Sequence, residues 1–544
     1  MSTLRAVACL LLFLSLTPAG HAADSLPAGG GLPFANDQPS LGMRYMVRLQ
    51  GADDELGEVG LFAANFAPQG WTLAEGQLLP IAQHPALFDL LGATFGGDGD
   101  VAFALPDLRG RTPIGVGAGP GLTSYSLGEQ VGADQQTLAA VPVHSHSLPN
   151  GLTTGAAGKA SSHSNLQPSL ALTPVIALTG LYPSHNALTA DGQVAEGVSP
   201  AGAEPYLSEV TWLAHDKVPS GWAIADGRLL DIVDHDALFS LLGTTYGGDG
   251  RVNFRLPDLR GRTPIGAGRG AGLSDRRQGI TYGEEQESLS APQLPAHSHD
   301  LEQGGQTDPA GGGAPQSNMQ PSLTMRFGIA LEGIYPSQAA TGGETDDGPA
   351  AALGGSTDPY LAGMTMFASN FVPRGYAEAS GQLLPISQHT ALFSLLWNNY
   401  GGDAEVTFEL PDLRGRAAVG VGAGPGLTPR LWAQPFGAEQ SVLTEANIPS
   451  HSHTVPVAGD YNDDGQVDAA DYTVWRDHLG APAGSLPNDP HAGPIGAEQY
   501  AAWRDNYGQP STPAAAAAPE PGALTLAALL AVAPLRRIRQ RRRR

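Results

Sequence analysis

Cysteine is almost missing from this chain. The single one among 544 residues, Cys9, lies in an N-terminal stretch that reads as a removable signal peptide. Arg5 supplies its positive end, Ala6 to Leu16 the apolar core, and Gly20 to Ala23 a small-residue cleavage zone. The mature chain is therefore expected to have no disulfide and no reactive thiol, so its rigidity must come from packing, metals or assembly. Charge is sparse at 15% of residues and one-sided, with 53 acidic against 29 basic side chains. Seven of the arginines crowd into the last nine positions, which leaves the body more acidic still. Such a surface argues against nucleic acid or anionic membrane as a partner of the body and suits cations and neutral polymers. No catalytic triad, glycosidase carboxylate pair or phosphate loop is legible. The string Gly115, Gly117, Gly119 opens no helix, so a dinucleotide reading fails. These absences point away from an enzyme.

Glycine and proline are plentiful, 72 and 45 residues, and a turn-rich, mainly β fold with short helices (α+β) is expected. The peptide LPDLRGR occurs three times, from Leu105, Leu256 and Leu410, and a His-Ser-His follows each copy. A module of about 150 residues has thus been triplicated, giving units at 36–146, 165–299 and 318–453. Within each unit an aromatic strand, a Gly-x-Leu-Leu turn and strand, a short helix (Ala86 to Leu91 and its equivalents) and a Gly-Gly-Asp turn precede LPDLRGR. Asp107/Arg109, Asp258/Arg260 and Asp412/Arg414 are expected to form ion pairs that clamp a long glycine-rich loop. The alternative is a polysaccharide-binding rim.

Residues i and i+2 of a strand share a face, so the two histidines of each triplet can reach one ion. His144, His146, His297, His299, His451 and His453 together offer enough nitrogens for a six-coordinate transition metal: Fe2+, Zn2+ or Ni2+. The alternative is three polar turns bearing hydrogen-bonded histidines. A second motif, NxQPSL, starts 19 residues after each of the first two triplets, at Asn165 and Asn318. The third triplet has no such sequel, but a cognate segment opens the mature chain at Asn36. Either residues 36–51 complete the third module and close a three-module ring, or each such segment belongs to the module after it in a linear string.

The composition changes after His453. Asp460, Asn462, Asp464, Asp468 and Asp471 occupy positions 1, 3, 5, 9 and 12 of a calcium loop, with glycine at 6 and the Gln466 carbonyl at 7. A helix follows, carrying Tyr472 and Trp475 on one face. Tyr500 and Trp503 echo that pair 28 residues on, but the second loop lacks acidic ligands, so one calcium is expected.

The ordered set GW, ALFxLL, YGGD, LPDLRGR, HSH and NxQPSL resembles the phage tail collar domain of short tail fibres and microcystin-dependent proteins. The resemblance implies a trimerising, β-rich domain used for structure or receptor binding, and it places a shared metal among the HxH pairs. Three copies in one chain imply a pseudo-threefold head. Residues 458–508 resemble a type I dockerin, which implies a cohesin as a possible partner. Residues 519–544, with Pro519-Glu520-Pro521, an apolar run from Ala523 to Leu535 and an arginine cluster, resemble a PEP-CTERM sorting signal. That run is shorter than the roughly 20 residues a membrane span needs, so contact with the membrane is expected only before processing. Residues 1–23 are the signal peptide and 509–518 a linker. The expected protein is exported to the cell surface or extracellular matrix and is not an enzyme. It recognises a surface glycan or a protein receptor, or else serves as a dockerin-recruited, non-catalytic part of a polysaccharide-degrading assembly.

Overall fold

Three nine-residue strands organise the chain. In chain order the strands followed here are β1 (Ser40–Arg48), β2 (Glu58–Phe62), β3 (Thr112–Gly115), β4 (Ser169–Ala177), β5 (Glu209–Leu213), β6 (Thr263–Gly266), β7 (Ser322–Ala330), β8 (Gly363–Phe367) and β9 (Ala417–Gly420). Five α-helices accompany them among the described residues: α1 (Pro85–Leu91), α2 (Asp236–Leu242), α3 (Thr390–Leu396), α4 (Ala469–Asp477) and α5 (Ala497–Asn506). The computed structural model describes residues 25–52, 55–159, 161–183, 205–301, 306–337 and 359–509. The expected signal peptide, the linker beyond Gln509 and the sorting signal lie outside them. No helix among the described residues is long and apolar enough to cross a membrane.

The long strands β1, β4 and β7 are the NxQPSL segments, and each serves two neighbours. The first four residues of β4 run parallel to β3 of the module before, while Thr173 to Ile176 run antiparallel to β5 of the module after. β7 divides in the same way between β6 and β8. β1 pairs Ser40 to Met43 with β9, 377 residues away in the chain, and Arg44 to Val47 with β2. Each segment therefore belongs to both the preceding and the following module. Burial on both faces explains why these strands read as nearly continuous apolar runs rather than alternating ones.

The modules interlock at three further levels. Strands β2, β5 and β8 each pair with both of the others. The asparagine opening each motif reaches the next module's copy: Asn36 Nδ2 donates to the Leu166 carbonyl at 2.8 Å, Asn165 to Met319 at 2.8 Å and Asn318 to Asp37 at 2.6 Å. A carboxylate of one module also pins the glycine-rich loop of its neighbour. Glu285 accepts from Thr123 and Tyr125, Glu439 from Ser274 and Arg276, and Asp134 from the Thr428 N–H. One hydrophobic core runs through all three modules, from Leu41 to Ala418.

LPDLRGR works at the seams. Asp107 and Arg109 form a two-bond ion pair (2.9 and 2.8 Å), as do Asp258 with Arg260 and Asp412 with Arg414. The glycine-rich loop that each arginine stem covers belongs to another module: Arg260 lies against Gly117, Arg414 against Gly268 and Arg109 against Gly422. The glycines ending β3, β6 and β9 leave no room for a side chain. A Cβ on Gly115 would sit 2.0 Å from the Leu259 carbonyl oxygen, and Gly266 and Gly420 are equally confined.

Each short helix buries leucines at helical spacing, Leu87 and Leu91 in α1. The residue that stops it has φ near +50° and ψ near −140°, which is close to glycine-only territory. Gly92 and Gly243 fill this position after α1 and α2. After α3 it is Trp397, with φ 51° and ψ −146°, a conformation costing a bulky residue about 1–3 kcal/mol.

Candidate metal centre

Each His-Ser-His sits on a short extended segment that puts both imidazoles on one side, and the structure brings all six rings together. His144, His297 and His451 form a triangle in which the Nε2 atoms lie 3.1, 3.2 and 3.2 Å apart. Their Nδ1 atoms point to the carbonyls of Pro142, Pro295 and Pro449, two residues upstream, at 2.8–3.0 Å. His146, His299 and His453 make the second layer. Their Nδ1 atoms reach carbonyls of the segments that lie before or between the modules, those of Asp308, Leu26 and Gly155, each at 2.9 Å.

The tautomers follow from these contacts. A carbonyl only accepts, so each Nδ1 carries the hydrogen and each Nε2 presents a bare lone pair. The lone pairs thus converge in two overlapping groups of four that share His144 and His299. The Nε2 atoms of His146, His299 and His453 are buried and have no hydrogen-bond partner. Burial, together with the neighbouring imidazoles, pulls the basicity of His146 and His451 down to about 4 and that of His453 to about 3. Burial lowers His144 and His299 as well. Protons are therefore disfavoured where the donors converge. The ligand atoms of His144, His146, His299 and His453 lie within 4.8 Å of one another, as do those of His144, His297, His299 and His451.

The N-terminal segment contributes residues that the motifs did not reveal. The His453 N–H donates to Ser25 Oγ at 2.8 Å, as the His146 and His299 N–H groups donate to the hydroxyls of Thr154 and Thr307. Ala28 bridges His451 as Ala157 and Ala310 bridge His144 and His297. A weak signal was present in the sequence, since Pro27-Ala28-Gly29-Gly30-Gly31 repeats as Pro309-Ala310-Gly311-Gly312-Gly313.

The calcium-loop residues form a second, looser group. Asp460 and Asp471 are buried, at 1% and 0% exposure. Burial raises the Asp460 carboxyl, and the carboxylates of Asp471 and Asp464 add to the effect. Asp460 accepts from the N–H groups of Asp464 and Gly465, Asn462 Oδ1 from Asp464 and Asp464 Oδ1 from the Gln466 N–H. Asp471 accepts from Tyr461, Asn462 and Asp468. Asp468 caps α4 through the Ala470 N–H, which donates to its Oδ1 at 2.7 Å, so one of its two carboxylate oxygens is already engaged. Among the described residues, the tightly converging groups come only from the six histidines. In the second half of the tail Gln499 stands where Asp471 would be, and its amide bridges Asp489 and the Gly496 N–H. The two halves mirror each other through their indoles: Trp475 donates to the Gly496 carbonyl and Trp503 to that of Asp468.

No curated protein and no solved structure gives a significant match to the chain. The family model for the Phage Tail Collar Domain matches residues 57–113, 208–264 and 363–418, the stretches running from β2, β5 and β8 through LPDLRGR to β3, β6 and β9. The protein thus carries three Phage Tail Collar Domain copies on one mainly β chain.

Proposed function

We propose that this is an exported, non-enzymatic binding protein of fibre-like construction. In this reading the three collar modules close into a pseudo-threefold head around one transition-metal ion. The calcium-binding tail module carries that head, which recognises a surface glycan or a protein receptor. One observation supports the head above all: three bare Nε2 atoms sit 3.1–3.2 Å apart while all six Nδ1 atoms are committed to carbonyls. Lone pairs at that distance repel unless a cation lies between them. Nitrogens bound at about 2.1 Å and at right angles around one ion would be about 3.0 Å apart. His144, His146, His297, His299, His451 and His453 would hold the ion, with carbonyls fixing their tautomers from outside. Six protein donors leave no open position for substrate, so the metal would be structural.

Asp460, Asn462, Asp464, Asp471 and the Gln466 carbonyl would hold one Ca2+ in the tail, with Asp468 reaching it through water. The mirrored helices α4 and α5 favour a second reading, recruitment by a cohesin into a polysaccharide-degrading assembly. A glycan array and a cohesin pull-down with the purified full chain separate the two. Glycan binding without cohesin capture is expected. Cohesin capture without glycan binding would reverse the order of the two readings.

A further inference from the structure

Trp397 is the residue least expected where it stands. Equivalent positions in the other two modules hold glycine, and the backbone angles are those of glycine in all three. A tryptophan held there against its conformational preference is expected only where its side chain has a use. The indole is not filling the core, because it is 56% exposed. It is nevertheless held in one orientation, stacked on Phe393 at 4.9 Å with the planes 22° apart.

A second exposed ring is tied to the same helix. Tyr335 is 54% exposed, and its hydroxyl meets Ser394 Oγ at 2.8 Å. Ser394 is the immediate sequence neighbour of Phe393, the ring on which the indole stacks. Asn398 and Asn399 follow, both exposed. Trp397, Tyr335, Ser394, Asn398 and Asn399 include no carboxylate and no amine. Module 2 repeats half of the arrangement, with Tyr182 55% exposed and hydrogen-bonded to Ser240 at 2.8 Å, but has Gly243 in place of the tryptophan. Module 1 has Asp89 and Gly92 at these positions.

We propose that Trp397 and Tyr335 form a carbohydrate-stacking platform at the rim of module 3, taking a neutral polysaccharide. The C–H face of a sugar ring packs on a fixed indole, and its hydroxyls take the Asn398 amide and the Asn399 Oδ1 as partners, since Ser394 Oγ and Asn399 Nδ2 already donate to the Ala391 and Leu396 carbonyls. A neutral ligand follows from the amides and hydroxyls beside the indole, from the exposed Glu332 carboxylate near α3, and from a chain with 53 acidic and 29 basic residues, all of which disfavour polyanions. The platform rests on the glycan-binding reading above and gives that reading a site.

Affinity electrophoresis of the full chain in gels containing soluble β-glucan, galactomannan or dextran tests it, with alginate as the anionic control. Retardation by at least one neutral polymer and none by alginate is expected. Trp397→Gly restores the residue of the other modules, so it should fold with an equal or higher melting temperature while binding at least 10-fold more weakly. Trp397→Phe should retain part of the binding, and Gly243→Trp, which gives module 2 the same set of residues, should strengthen it. Retardation left unchanged by Trp397→Gly overturns the platform alone. No retardation of the intact chain in any gel overturns the glycan reading itself, and retardation by alginate alone overturns the neutral assignment.

Discussion

At the histidine centre the three modules are interchangeable, and at the rim they are not. His144, His297 and His451 make the same contacts within 0.2 Å, and each seam uses the same glycine under the same carbonyl. Beyond the helices the copies diverge. One rim has glycine and aspartate, one adds an exposed tyrosine, and one adds an exposed tryptophan on strained backbone. Equivalence at the centre is what mutual strand pairing demands, and what the proposed shared ion would demand as well, since a change in one module is felt by the other two. Divergence at the rim is what the absence of contacts between the three rims, among the described residues, permits, and what the proposed platform would use.

The comparison breaks most visibly at the seams. Gly266→Ala would push a Cβ to 2.0 Å from the Leu413 carbonyl oxygen, and chemical denaturation should show a loss of about 3 kcal/mol. The same change at Gly493, where nothing lies within 4 Å of a new Cβ, should cost less than about 0.5 kcal/mol.

Acid should separate centre from rim next. The folded-state values of His146 and His451, about 4, and of His453, about 3, lie below the ordinary 6.5, so the unfolded chain takes up protons first. The contribution of these histidines to stability is full above about pH 6.5 and is lost progressively as pH falls toward 4 and then 3. That window applies to the metal-free chain, and pH titration of the loaded chain should show a bound ion shifting the loss to lower pH, because protons must then displace it from Nε2. Binding at the rim, which uses no histidine, should outlast it.

Smaller effects sharpen the picture. Ser25→Ala leaves the buried His453 N–H without its acceptor, and thermal unfolding should show a loss of about 1–2 kcal/mol. Asp107→Asn weakens an ion pair in which Arg109 is 32% exposed, and about 1 kcal/mol or less is expected.

Much of this arrangement could be read from the chain because it is written three times. LPDLRGR, the histidine triplets and the displaced NxQPSL segment reveal a repeat and single out the histidines. The double allegiance of β1, β4 and β7 was not legible, because a strand has two edges and two halves and its apolar pattern does not say which neighbour takes which. Arg109, Arg260 and Arg414 were placed in ion pairs by their spacing, but spacing carries no information on whose loop lies beneath the arginine. The N-terminal residues Ser25 and Leu26 were hidden by brevity, since two side-chain and carbonyl contacts leave almost no trace in composition. The strain at Trp397 resides in φ and ψ, and it becomes visible only when Gly92 and Gly243 are superposed on it.

Native mass spectrometry of the purified mature chain tests the central claim most directly. One polypeptide carrying one transition-metal ion and one Ca2+ is the predicted species. A three-chain assembly, three transition-metal ions per chain, or none would contradict a head that one chain closes around a single histidine centre.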